Sequence, residues 1–155
     1  MHGQRSFLAL LLLLVCVPAQ SWAAALPPQI QVGDQQLLLN GQGVRSKYLL
    51  SLYTAGLYLK APEKNSLAII AGDAPMMIRI VITSKFVTQE KLVESLQQGF
   101  QQSTDGKLEP LQAAIQQFRH CFAGDIASGD VFDLIHVPGQ GVVVLKNGNR
   151  QGLIA

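Results

Sequence analysis

The sequence predicts an α+β fold in which helices pack on one face of an antiparallel sheet. Stretches of alternating apolar residues come first, two stretches with apolar residues at helical spacing follow, and alternation returns in the last third. In that last third, Pro138-Gly139-Gln140-Gly141 and Asn147-Gly148-Asn149 supply the turn chemistry that joins neighbouring strands into an antiparallel meander.

The chain of 155 residues opens with a leader. Residues 1–25 start with His2 and Arg5, continue through an apolar core at residues 7–17, and end in small residues that include Ser21, Ala23 and Ala25. This is the plan of a secretory signal peptide, and its apolar core falls short of the roughly 20 residues that span a bilayer. Cleavage after Ala23 or after Ala25 satisfies the small-x-small rule. Val15 is too large to precede a lipidated cysteine, which argues against Cys16 as an anchor. The expected setting is periplasmic or secreted, and residues 26–155 are expected to form one domain around one core. The chain carries 12 Lys and Arg against 10 Asp and Glu, with Arg5 in the leader. No basic stripe points to nucleic acid, and no later apolar run is long enough to cross a membrane. Cys121 is the single cysteine after the leader. It has no internal disulfide partner and is expected to be buried as a small hydrophobe.

Pro27-Pro28 marks the start of the ordered chain. Short strands are expected at 29–33 and 36–39 around Gly33-Asp34, and Asn40-Gly41, extended by Gly43, is a second turn signal. Residues 48–60 read as a central strand covered on both sides. Leu49, Tyr53, Ala55, Leu57 and Leu59 take one face, and Tyr48, Leu50, Leu52, Thr54, Gly56 and Tyr58 the other. Gly56 within it marks a bulge or a close approach. Residues 66–71 fit a short helix, 72–75 a turn, and 76–83 a strand. Thr88 suits a helix N-cap, with Glu90 in the first turn where the dipole favours it. Leu92, Val93, Leu96 and Phe100 form the apolar stripe of that helix, while Glu94, Gln97, Gln98, Gln101 and Gln102 are assigned to solvent. Pro110 opens a second helix with Leu111, Ile115, Phe118 and Phe122 on its apolar side, and Gly124 stops it. Strands at 130–137, 141–146 and 150–154 complete the order.

Arg45 is the residue with the clearest chemical implication. It follows a glycine-broken segment and precedes a long apolar strand, and one strong cation at the mouth of an apolar strand suits the head group of an amphipathic acid. His120 and His136 are far apart, no set of His, Asp, Glu and Cys has metal-ligand spacing, and no cofactor is expected. His120 and Cys121 adjoin on a helix and so point about 100° apart, which is poor geometry for a nucleophile and its base. No helix follows Gly41-x-Gly43 directly, so it is not a phosphate loop.

Four segments carry a family resemblance: residues 39–47 (LNGQGVRSK), 52–60 (LYTAGLYLK), 80–91 (IVITSKFVTQEK), and 129–133 (GDVFD) leading to 137–141 (VPGQG). In this order and spacing the chain resembles the chalcone isomerase-like proteins, in particular their small secreted bacterial branch, over roughly residues 30–154. The resemblance implies an open-faced β-sandwich, a large antiparallel sheet covered by helices with a ligand cleft between. The family includes plant enzymes that close a chalcone to a flavanone, and fatty-acid-binding members. In both, the arginine of the Gly-x-Arg segment faces the ligand, which implies that role for Arg45. The enzymes carry a threonine where this chain has Tyr53, and the fatty-acid-binding members resemble this chain in having tyrosine. The enzymes also carry a Tyr-x-x-Lys-x-x-x-Asn pattern on the first long helix, which residues 88–102 lack. Family members usually continue into one or two further helices, whereas this sequence stops at Ala155. One sheet face is then expected to be open, or covered by a second copy through self-association.

The expected function is therefore non-catalytic binding of a small amphipathic or aromatic acid, such as a fatty acid. Arg45 and Tyr53 would clamp the carboxylate, and Leu50, Leu52, Leu57 and the helix stripes would wall the tail. Two alternatives stand beside it. One is an isomerase or intramolecular lyase of chalcone-isomerase type, with Arg45 stabilising an oxyanion. The other is a structural or interaction module of the cell envelope that uses the open sheet face. The plain structural roles for the two residues are Arg45 capping a turn and Tyr53 as a core aromatic with a bonded hydroxyl.

Overall fold

The computed structural model describes residues 26–155; the leader expected over residues 1–25 lies outside the described residues. Seven antiparallel strands follow one another in sequence order across a single sheet: β1 (Gln29–Val32), β2 (Gln35–Lys47), β3 (Leu50–Leu59), β4 (Met76–Ile82), β5 (Val131–Val137), β6 (Gly141–Lys146) and β7 (Asn149–Ile154). Three helices are inserted: α1 (Ser66–Ala71) between β3 and β4, and α2 (Gln89–Ser103) and α3 (Gln112–His120) between β4 and β5. The architecture is α+β, as the alternation and helical periods predict. Asn65 caps α1 by accepting from the N–H groups of Leu67 and Ala68, and Thr88 caps α2 by accepting from Lys91 N–H. Glu90 accepts from its own N–H and from Thr88, which holds its carboxyl below the usual range. A 3₁₀ turn, Glu109–Leu111, with Pro110 in its first turn, leads into α3.

The two sheet faces are filled differently. On the helix face, Ile80, Ile82, Phe132 and Val144 meet Leu92 and Val93 of α2 and Phe118, Cys121 and Phe122 of the α3 region. Four phenylalanines link the layers: Phe100 to Phe118 at 5.2 Å between centroids, Phe118 to Phe122 at 4.8 Å, and Phe122 to Phe132 at 4.9 Å. These separations suit edge and tilted aromatic contacts. Cys121 is buried, and burial pushes its thiol pKa up. Gly152 of β7 makes room for it, since a Cβ there would lie 2.6 Å from Sγ. On the opposite face the sheet curls so that Leu37 and Ile30 of β2 and β1 pack with Tyr58, Met77 and Ile135, and with Val143 and Leu145 of β6. Arg79 and Asp133, paired across β4 and β5, share that face and form a bidentate ion pair with both contacts at 2.7 Å. Asp133 is the one buried charged residue among those described, 6% exposed. Its hydrogen bond raises the Arg79 pKa against the opposing effect of desolvation.

Two expectations for the first strands are corrected, and a third is narrowed to one of its alternatives. Asn40-Gly41 is not a turn. β2 runs through it to Lys47 with a bulge between Leu39 and Gly41. Asn40 spends its amide on a different segment: Nδ2 donates to Glu63 C=O at 2.9 Å and Oδ1 accepts from Glu63 N–H at 2.8 Å. The reversal falls instead at Tyr48-Leu49, which leaves β3 to begin at Leu50. Gly56 is in regular register with Gln42 and Arg79, so the bulge lies on the neighbouring strand. What Gly56 allows is close approach, because a Cβ there would lie 2.9 Å from Leu26 Cδ1 and 3.0 Å from Leu39 Cδ1.

Removing one member of the Arg79–Asp133 pair strands the other, so Asp133→Leu should cost about 3 kcal/mol in urea unfolding. Arg79→Leu/Asp133→Leu should recover most of that loss. A second test concerns Asp130. Its burial opposes ionisation, but hydrogen bonds from Ala127 N–H, Asn147 and Lys146 outweigh this and hold its pKa below the ordinary 3.8. The folded chain therefore binds this proton more weakly than the unfolded chain. The ionised carboxylate adds stability above the ordinary value, and that contribution is lost as pH falls through the lower native value. Asp130→Asn should unfold at lower urea than wild type at neutral pH, with the gap narrowing as the pH falls below the ordinary carboxyl value of 3.8.

Candidate functional site

A cavity of about 950 Å³ lies between the helix face of the sheet and the helices. α3 lies close against β7, while α2 stands farther from the strands. The cavity floor is made by alternate residues of consecutive strands: Ala55 and Leu57 of β3, Met76, Ile78 and Ile80 of β4, Leu134 of β5, Val142 of β6 and Ile154 of β7. Leu96, Phe100, Ile115 and Phe118 form the helical wall, and Ile69 and Ile70 of α1 close one end. The volume and the mainly apolar lining are those of a small-molecule pocket.

Arg45 and Tyr53 meet at one end of this cavity. They are directly opposed in the register of β2 and β3, so their side chains rise from the same face. The bulge decides this. Leu39, opposite Tyr58, lies on the far face; strict alternation from Leu39 would put Arg45 there too. The extra residue at the bulge inverts the parity, so Gly41, Gly43 and Arg45 oppose Leu57, Ala55 and Tyr53 on the cavity face. Among the described residues no acidic side chain pairs with Arg45, and the Tyr53 hydroxyl bonds to none of them. The guanidinium and phenol donors thus remain available.

A second cavity, about 450 Å³, adjoins the first and shares Arg45, Tyr53, Ser95 and Gln98 with it. Leu50 and Leu52 line this smaller space. Of the three leucines expected to wall the tail, only Leu57 reaches the main cavity. The break in register between Arg45 and Ser46 accompanies that change. The polar stripe of α2 is also reassigned: Ser95, Gln98 and Gln102 edge the cavity, because the helix stands off the sheet and turns part of that stripe over the opening. His136 had no functional role in the sequence reading. It lines the end far from Arg45, and its Nε2 lies 3.0 Å from Asp73 Oδ1 on the α1–β4 connection. The signal for it was its parity with Leu134 on β5. Met77 is buried in the far-face core, while Met76 lines the cavity.

A curled antiparallel sheet with an apolar cavity beneath its helices defines an α+β protein with an internal cavity, and comparison gives it a family. The sequence profile described as chalcone isomerase-like matches residues 20–155, so the chain belongs to the chalcone isomerase-like family. Among solved structures, it is similar to the crystal structure of a fatty-acid binding protein from Arabidopsis thaliana. The TM-score is 0.61 with 21% identity, over 83% of this chain and 77% of that one. At that identity the likeness concerns the fold. No curated protein matches the sequence.

Asn40 holds the bulge that aims Arg45, so Asn40→Ala should loosen the β2 register near Arg45 without removing a cavity residue. Amide hydrogen exchange at residues 41–45 should speed up by roughly five- to tenfold, the equivalent of losing about 1 kcal/mol of hydrogen bonding. Exchange in β5 and β6 should stay as in wild type.

Proposed function

We propose that the protein binds a small amphipathic acid of the fatty-acid type without chemical turnover, with Arg45 and Tyr53 at the carboxylate. The observation that carries this reading is the Arg45–Tyr53 cross-strand pair at one end of a long apolar cavity. A guanidinium offers two parallel donors to a carboxylate, and the phenol offers a third. The tail would run along β4, from the level of Ile82, which pairs with Tyr53, to Met76, six residues or about 20 Å away. That length and the apolar floor favour a long acyl chain over a short acid. Arg45 is exposed at the opening. Its ion pair would be screened by water, so burial of the tail would supply most of the affinity and the head group would set orientation. A similar fold in a fatty-acid binding protein supports the reading. The leader at residues 1–25 supports a periplasmic or secreted setting.

Purified protein exposed to a mixture of fatty acids should retain long-chain species that mass spectrometry recovers. Displacement of a fluorescent fatty acid should show Arg45→Ala weakened about five- to tenfold, as expected for a partly screened charged hydrogen bond. No recovered lipid, or equal affinity in Arg45→Ala, overturns the reading. Conversion of a chalcone to a flavanone that is lost in Arg45→Ala would replace it with the isomerase alternative.

A further inference from the structure

The β2–β3 hairpin tip is built against its own local preference. Tyr48 and Leu49 form a two-residue loop with φ values of 49° and 67°. Both positions of such a loop lie in the left-handed region, which favours Asn and Gly. The same chain follows that preference elsewhere, placing Asn147 and Gly148 at φ values of 49° and 80° in the β6–β7 hairpin. At the β2–β3 tip it places two bulky apolar residues instead and buries neither: Tyr48 is 86% exposed and Leu49 fully exposed at 104%. Phe86, on the connection from β4 to α2, is exposed beside the same smaller cavity that Tyr48 lines. This group of apolar side chains is set among cations. The Lys47 ammonium lies 5.7 Å from the Tyr48 ring centre and the Lys85 ammonium 5.6 Å from that of Phe86. Lys91 donates to Phe86 C=O at 3.2 Å. Residues 35–62 and 74–89 contain no Asp or Glu. Glu94 is the one acidic residue of the smaller cavity, and Glu90 is engaged at the start of α2.

We propose that this tip is a docking surface for an anionic lipid membrane. A protruding aromatic and aliphatic tip can enter the interfacial layer of a bilayer. Lysines beside it keep their ammonium groups at head-group level with their stems along the apolar surface. The predominantly basic flank fits an anionic surface and makes attachment dependent on salt. The tip also stands at the outer end of the smaller cavity, whose inner end is Arg45 and Tyr53. A docked protein would thus present a continuous route from the membrane to the main cavity, and docking itself does not depend on which ligand that cavity takes.

Co-sedimentation of delipidated protein with vesicles tests this. Vesicles of phosphatidylcholine with phosphatidylglycerol should carry the protein down at low salt and release it as salt rises, and phosphatidylcholine alone should carry little. Tyr48→Asn/Leu49→Gly should reduce binding to the anionic vesicles at least about tenfold, since two large apolar side chains no longer insert. The same variant should melt at higher temperature, because Asn-Gly adopts the left-handed loop without strain. A loss of vesicle binding together with a rise in melting temperature cannot be attributed to misfolding. Lys47→Glu/Lys85→Glu should also lower binding to anionic vesicles. The proposal is overturned by equal binding to both vesicle types, by an Asn-Gly variant that binds as wild type does, or by a tip that mediates self-association with no vesicle binding. Because sedimentation is scored on protein alone, it can succeed or fail independently of fatty-acid binding in the cavity.

Discussion

The side of the sheet on which Arg45 stands depends on one extra residue in β2 and on the amide that holds it. Parity along a strand is unforgiving, because a one-residue shift sends every later side chain to the opposite face. Upstream of the bulge, Leu37 and Leu39 belong to the core formed by the curled face of the sheet. Downstream, Arg45 belongs to the cavity. A single regular strand cannot serve both ends in this way. The bulge between Leu39 and Gly41 lets one long strand contribute apolar residues to one core and a cation to the other face, and the paired hydrogen bonds between Asn40 and Glu63 fix where the change occurs.

The same division governs the rest of the molecule. The far face closes on itself, with β1 and β2 meeting β5 and β6 and with the Arg79–Asp133 pair satisfied within that layer. Tyr58 is fully buried there, and its hydroxyl donates to Pro27 C=O at 3.0 Å. The helices are therefore not needed to cover that face. They are anchored to the other one by the phenylalanine series from Phe100 through Phe118 and Phe122 to Phe132, near one end of the sheet. Packing dense at one end and loose at the other leaves a cavity rather than a second continuous core.

Much of this was legible in the sequence where local chemistry and global fold agree. Thr88 caps the helix whose start it marks, Asn147-Gly148 turns the hairpin it is suited to turn, and the alternation of Ile78, Ile80 and Ile82 sets one face of β4. The failures occur where a residue's usual local role is taken over by a partner distant in sequence. Asn40 reads as a turn former, yet its amide is committed to Glu63 across 23 positions. Tyr48 and Leu49 read as strand, yet they form the turn that the bulge displaced. Gln98 and Gln102 read as solvated, because the distance of α2 from the sheet is a tertiary quantity that no helical period contains. Arg45 and Tyr53 could be selected from sequence because an arginine before a long apolar strand suits an acidic head group, and the family resemblance named its companion. Their direct opposition depends on the register and was not legible.

The groups with displaced pKa values belong to the scaffold of the fold. They are Tyr58 and Arg79 on the far face, Glu90 at the start of α2, Cys121 in the helix-face core and Asp130 beside the β6–β7 turn. Each has a structural cause: burial for Tyr58 and Cys121, an ion pair for Arg79, and local hydrogen bonds for Glu90 and Asp130. The main cavity instead has an exposed arginine and a tyrosine at one end, a histidine at the other, and apolar strands between. That arrangement has what is needed to orient an amphipathic molecule and desolvate its tail.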